Sequence, residues 1–172
     1  MIGDPFLSEK IIIACYAGPL LVAAVFDFWT YRIPNLITGT VAVLYFVCVT
    51  YFFWGMGINW ISHLGACLSV LAVGLGLFYF KIFGGGDIKL LAAVALWIGF
   101  TRELIIFLLV AGVAGGVLTL LLLALRSGLS LIPISFPAYM PAALHARSPV
   151  PYGVAVVVGA LWVAWAIPFV LA

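Results

Sequence analysis

Five acids are present in the chain: Asp4, Glu9, Asp27, Asp87 and Glu103. Asp4 and Glu9 belong to a short polar head and Glu103 to a turn, where hydration explains them. Asp27 and Asp87 each stand at the edge of a long apolar run, and Asp87 follows three glycines in Gly84-Gly85-Gly86-Asp87-Ile88-Lys89. An ionisable group at membrane depth costs about 2.5–3.5 kcal/mol on insertion scales, so such a residue marks a functional site by default. Two carboxyls brought to hydrogen-bonding distance cannot easily both ionise, and the pair shares one proton near neutral pH. The charged member can take a proton from water while the protonated one polarises a carbonyl. That chemistry is peptide hydrolysis of the aspartic type.

The elements that must position these acids follow from composition. Of 172 residues, 67% are hydrophobic and 7% are charged. A soluble domain carries about 25% charged residues, so the chain reads as a polytopic membrane protein, residues 1–172 forming one all-α unit. A formal charge of +2 gives no reason to expect a nucleic-acid partner. Cys15, Cys48 and Cys67 fall singly in apolar runs and read as packing residues. His63 and His145 fall on opposite sides and make no metal set with them, and no cofactor signature is present.

Six spans are expected, with a short fourth helix. The first covers Ile11–Phe28, long for the apolar core of a cleaved signal peptide and without a persuasive cleavage site. A polar hinge holds Asp27, Thr30, Arg32, Pro34 and Asn35, and Asn35 is a good N-cap for a second span over Leu36–Trp54. After the turn Gly55–Asn59 a third span covers Trp60–Phe80, and a fourth covers Asp87–Phe100. At about 1.5 Å per residue the fourth reaches roughly 21 Å, short of a hydrocarbon core of about 30 Å. Either it thins the membrane or its glycine-rich entrance lies in a wet recess, where irregular backbone is tolerated. Thr101 reads as the N-cap of a fifth span over Leu104–Leu125, in which Gly112-x-x-x-Gly116 offers a small-residue packing face. Arg126–Pro149, with Pro133, Pro137, Pro141 and Pro149, reads as an interfacial loop on the membrane before the sixth span, which begins near Pro151.

Six spans alternate sides. The first, third and fifth connections carry Arg32, Lys81, Lys89, Arg126 and Arg147, against Lys10 and Arg102 on the other side. The positive-inside rule places the richer side in the cytoplasm and both termini outside. Asp27 and Asp87 then share the cytoplasmic face. Asp87 also begins a helix, where the macrodipole and Lys89 give it a local reason to be the more acidic partner. The glycines would let a substrate strand approach the backbone closely.

Taken together, these residues resemble the type IV prepilin peptidase family, the GxGD-type intramembrane aspartic proteases of bacteria. Asp27 precedes Arg32-Ile33-Pro34-Asn35 as the family's first acid precedes its I-P-N turn. Gly84–Lys89 looks like the second catalytic motif, and Val150-Pro151-Tyr152-Gly153 is similar to the P-[FY]-G that opens the last span. The similarity runs from about Ala14 to Ala160. Asp27 and Asp87 are the catalytic residues this implies. Gly84, Gly85, Gly86, Lys89, Arg32, Pro34, Asn35, Pro151, Tyr152 and Gly153 would position substrate or motif.

The resemblance implies cleavage of a short basic leader, after a Gly-type residue, from a pilin-like precursor with an apolar helix, at the cytoplasmic face and without a cofactor. No paired zinc-binding cysteines precede the first span. The chain therefore looks like the short, peptidase-only form of Flp or tight-adherence pilus systems, without methyltransferase activity. Presenilin-like proteases share G-x-G-D but are longer and need a Pro-Ala-Leu motif, and lipoprotein signal peptidases have about four spans. Two readings outside proteolysis stay open on the sequence: a small proton- or cation-coupled transporter, and a non-catalytic assembly protein of a pilus or secretion machine.

Overall fold

A computed structural model describes residues 5–52, 58–130, 143 and 148–167. Among the described residues there are six α-helices and no strand: α1 Pro5–Thr30, α2 Asn35–Phe52, α3 Trp60–Tyr79, α4 Gly85–Ile98, α5 Arg102–Ser130 and α6 Tyr152–Trp162. A 3-10 turn, Ala164–Ala166, follows α6. Four of the helices, α1, α2, α3 and α5, are long and apolar enough to cross a membrane. By length alone α4 and α6 are not, at 14 and 11 residues.

The helix ends have local causes. Tyr31 adopts a left-handed conformation (φ 53°), and its N–H closes α1 on the Asp27 carbonyl at 2.9 Å. Asp27 is therefore in the last turn of α1 and not in a hinge after it. Pro34 opens α2: its carbonyl accepts from the amides of Ile37 and Thr38. Asn35 is thus the first helical residue and does not serve as the expected N-cap. Asn59 does cap α3, its side chain accepting from the Ser62 amide at 3.1 Å. At the other end of α3, Lys81 (φ 59°) and Ile82 send their amides back to Phe78 and Leu77, a Schellman closure. Thr101 stands immediately before α5, where its carbonyl accepts from the Leu104 amide at 3.2 Å, and its hydroxyl donates to the Ile98 carbonyl of α4 at 3.3 Å.

The fifth helix runs past the expected end at Leu125. Arg126 is helical and buried, its guanidinium satisfied by carbonyls, so its charge does not end the helix. The expected interfacial loop is shortened accordingly. Its remaining part, with Pro133, Pro137, Pro141, His145 and Arg147, lies outside the described residues, as does most of Gly55–Asn59.

Short α4 is the centre of the bundle. Ile88, Leu90 and every residue from Ala92 to Ile98 are buried, so this helix is apolar all round because it is enclosed all round. It packs chiefly on α3, α2 and α6, while α1 packs on α2 and α6, and α5 on α6. Trp97 of α4 donates to the Val41 carbonyl of α2 at 2.9 Å, and its ring lies against Tyr16 and Tyr45. Tyr16 in turn donates to the Ala160 carbonyl of α6 at 3.1 Å. Buried polar groups of this kind fix neighbours where apolar contact alone is weakly specific.

Glycines set the close helix contacts, though not at the expected positions. A Cβ on Gly112 or Gly116 would meet nothing within 4 Å. The α5–α6 contact instead uses the adjacent face. There Gly159 leaves room for the Ala111 amide and the Phe107 carbonyl, each 2.9 Å from where its Cβ would be. Gly115 lies under Tyr152 and Ala155. Gly112 and Gly116 face an apolar cleft of about 630 Å³, bordered by Val73 of α3, Leu104 of α5 and Val156 of α6.

Candidate active site

The last turn of α1 meets the first turns of α4 and α6. Asp27 is 4% exposed, and the Val154 amide donates to its Oδ2 at 3.3 Å. Val154 belongs to the first turn of α6, so the open N–H end of that helix is directed at this carboxyl. Asp87 lies in the first turn of α4, with Gly84 close beside its Oδ2. Each acid thus lies against the N-terminal end of a helix, so the macrodipole does not single out Asp87 as expected.

Both acids also line the same two cavities. One, of about 740 Å³, is walled by Tyr31, Phe78, Phe83, Gly84, Val150 and Tyr152. The other, of about 500 Å³, is walled by Arg32, Ile33, Pro34, Asn35 and the three glycines. The glycine-rich entrance of α4 opens onto this cavity space.

Each glycine at this junction has a different neighbour. Gly84 sits at φ −74° and ψ 145°, which any residue adopts, so left-handed freedom is not its purpose. A Cβ there would stand 2.8 Å from Asp87 Oδ2. At Gly153 it would stand 2.8 Å from Asp27 Oδ2 and 2.7 Å from Ile33 Cδ1. Gly85 faces Phe78, and Gly86 faces Ile33. The glycines let the carboxylates approach the chain, a nearer cause than the passage of a substrate strand.

The other motif residues are gathered around this point. Lys89 donates to Asn35 Oδ1 at 2.8 Å. Arg32 is exposed at the rim of the smaller cavity, and Pro34 lines it. Pro151 precedes α6, and its carbonyl accepts from the Val154 amide at 3.3 Å. Tyr152 stands between the larger cavity and the apolar cleft, its ring 5.3 Å from that of Phe83.

The family model described as the type IV leader peptidase family matches residues 14–120, more than half of the sequence. The chain belongs to the type IV leader peptidase family. Neither the curated proteins nor the solved structures compared with it give a match. The matched stretch of this leader peptidase family member includes Asp27, Ile33-Pro34-Asn35 and Gly84–Lys89, and stops before Pro151-Tyr152-Gly153. The fold nevertheless brings that last motif onto both acids.

Tyr31, Phe78 and Phe83 also line the site, and sequence reasoning passed over them. Tyr31 carried one usable signal, its place at the polar end of the first apolar run, four residues after Asp27. Phe78 and Phe83 carried none among so many aromatics. Arg126 fits a loop charge on the sequence, because a cation closing a long apolar run is the ordinary pattern at a span end. His63, buried in α3, is held to the Leu96 carbonyl at 2.9 Å, far along α4 from the acids.

Proposed function

We propose that this family member is an intramembrane aspartic endopeptidase, with Asp27 and Asp87 as its catalytic pair. The observation that carries the reading is that two carboxyls from different helices line the same two cavities. One carboxyl, protonated, donates to the scissile carbonyl oxygen, and the other, ionised, takes a proton from water as its oxygen bonds to the carbonyl carbon. Collapse of the resulting diol breaks the C–N bond, and the amine leaves with a proton from the dyad. The reaction uses no metal or cofactor.

The substrate in this reading is a pilin-like precursor of the Flp type, with a short basic leader cut after a Gly-type residue. Its scissile segment lies extended along Gly84–Gly86, in the cavities that both acids line. Its apolar helix lies in the cleft beside α3 and α5, which shares Phe83 and Tyr152 with the larger cavity. A cavity of several hundred Å³ suits a short peptide segment. Arg32, Lys81 and Lys89 stand around this end of the bundle, which supports a cytoplasmic active site in a six-span chain of the bacterial inner membrane.

The test is a reconstituted system. The purified protein in liposomes is given a synthetic precursor with a basic leader, a glycine at the junction and an apolar helix. Mass spectrometry should show one cut after the glycine. No cut, together with proton or cation flux driven by a gradient, would replace the peptidase with a transporter.

A further inference from the structure

Arg126 is a buried cation in α5, 8% exposed. Its Nε donates to the Ala143 carbonyl at 3.1 Å, and its Nη1 to the Ser148 carbonyl at 2.6 Å. Its Nη2 reaches the carbonyls of Ala143 and Pro149 at 2.7 and 2.8 Å and the Tyr31 hydroxyl at 3.3 Å. A buried guanidinium is tolerated only where its donors are satisfied, and here neutral oxygens satisfy them from two separate stretches of chain.

Those two stretches are the two halves of the Asp27 environment. Ser148 and Pro149 lead directly into Pro151 and the start of α6, whose Val154 amide hydrogen-bonds Asp27. Tyr31 ends α1, with its own amide on the Asp27 carbonyl. The planar fork therefore spans from the segment that supplies the donor to the helix end that supplies the acceptor. Lysine, whose three donors all sit on one nitrogen, cannot span that set.

We propose that Arg126 is a positioning residue for the peptide-cleavage reaction, holding the 148–154 segment against the end of α1 so that the Val154 amide stays on the Asp27 carboxyl. This rests on the peptidase reading above. Displacing a catalytic group by about 1 Å can cost about 100-fold in rate, so a clamp that never touches substrate can govern turnover.

The experiment compares wild type, Arg126→Gln and Arg126→Lys in liposomes by single-turnover cleavage of the synthetic precursor and by hydrogen exchange. Arg126→Gln should lower kcat by about 10–100-fold with KM within about threefold. Its amides over residues 150–156 should exchange faster while those of α2 and α3 do not. Arg126→Lys, which keeps the charge without the fork, should recover only part of the rate and protects folding if the glutamine variant does not accumulate. A variant with wild-type kcat and unchanged exchange over 150–156 overturns the proposal. So does a loss confined to KM or to folded yield. Failure of wild type to cleave at all would instead count against the peptidase reading, and the exchange result would still report on the clamp.

Discussion

Lys89 Nζ donates to Asn35 Oδ1 at 2.8 Å, joining the start of α4 to the start of α2. The bond ties the stretch after Asp87 to the turn after Asp27, so two motifs 54 residues apart are held as one piece beneath the smaller cavity. The Val154 amide, at the start of α6, holds Asp27 in turn. The site is a junction of three helix ends, and each end is fixed by a bond to another element.

That junction bond should be measurable by a double-mutant cycle. Lys89→Met and Asn35→Ala should each lower stability, with a coupling of about 1 kcal/mol, modest because the pair is exposed. Unfolding in mixed detergent micelles gives the four stabilities. Additive single effects would show that the bond contributes nothing.

Gly153→Ala should abolish most activity. Its Cβ would stand 2.8 Å from Asp27 Oδ2 and 2.7 Å from Ile33 Cδ1, so the carboxylate or the α6 start must move. Precursor cleavage should fall by about 100-fold or more, with a stability loss of about 1–3 kcal/mol. A variant that cleaves at the wild-type rate would show that the close approach of Gly153 to Asp27 is not needed.

Two glycines on opposite sides of the α5–α6 contact should behave differently. Gly159→Ala places a Cβ 2.9 Å from both the Ala111 amide and the Phe107 carbonyl, and backbone cannot give way as a side chain does. It should destabilise the protein by about 1–3 kcal/mol. Gly112→Ala meets nothing within 4 Å and should be neutral or stabilising by up to about 1 kcal/mol. Equal losses at the two sites, read from unfolding in mixed micelles, would contradict the packing described above.

Lys81 holds a left-handed conformation at the end of α3, where glycine avoids the steric cost of a Cβ. Lys81→Gly should therefore raise stability by about 1 kcal/mol, read from the same unfolding measurement. A loss of similar size would mean that the lysine side chain holds more than its backbone costs.

How much of this was legible in the sequence follows from what each feature depends on. The helices were legible because long apolar runs and turn residues are local signals. A common end for Asp27 and Asp87 followed from the expected alternation of spans, whereas their meeting in the same cavities depends on tertiary packing that no local pattern encodes. Arg126 was not, because nothing local tells a cation in a loop from one whose helix continues until carbonyls from a later segment enclose it. The packing glycine on α5 was misplaced by one position for a related reason. Gly112-x-x-x-Gly116 is a valid pattern, but which face of a uniformly apolar helix meets α6 depends on partners such as Gly159. Asn35 was read as a cap, and Lys89 claims its side chain instead.

The central claim is that Asp27 and Asp87 act as one unit. Single-turnover cleavage of the synthetic precursor by Asp27→Asn, Asp87→Asn and the double variant tests it most directly, with folded protein verified in each case. Each single variant should lose at least about 10,000-fold in rate, and the double variant should be no slower than either, as for residues that act together. A single variant that cleaves at or near the wild-type rate would contradict the account.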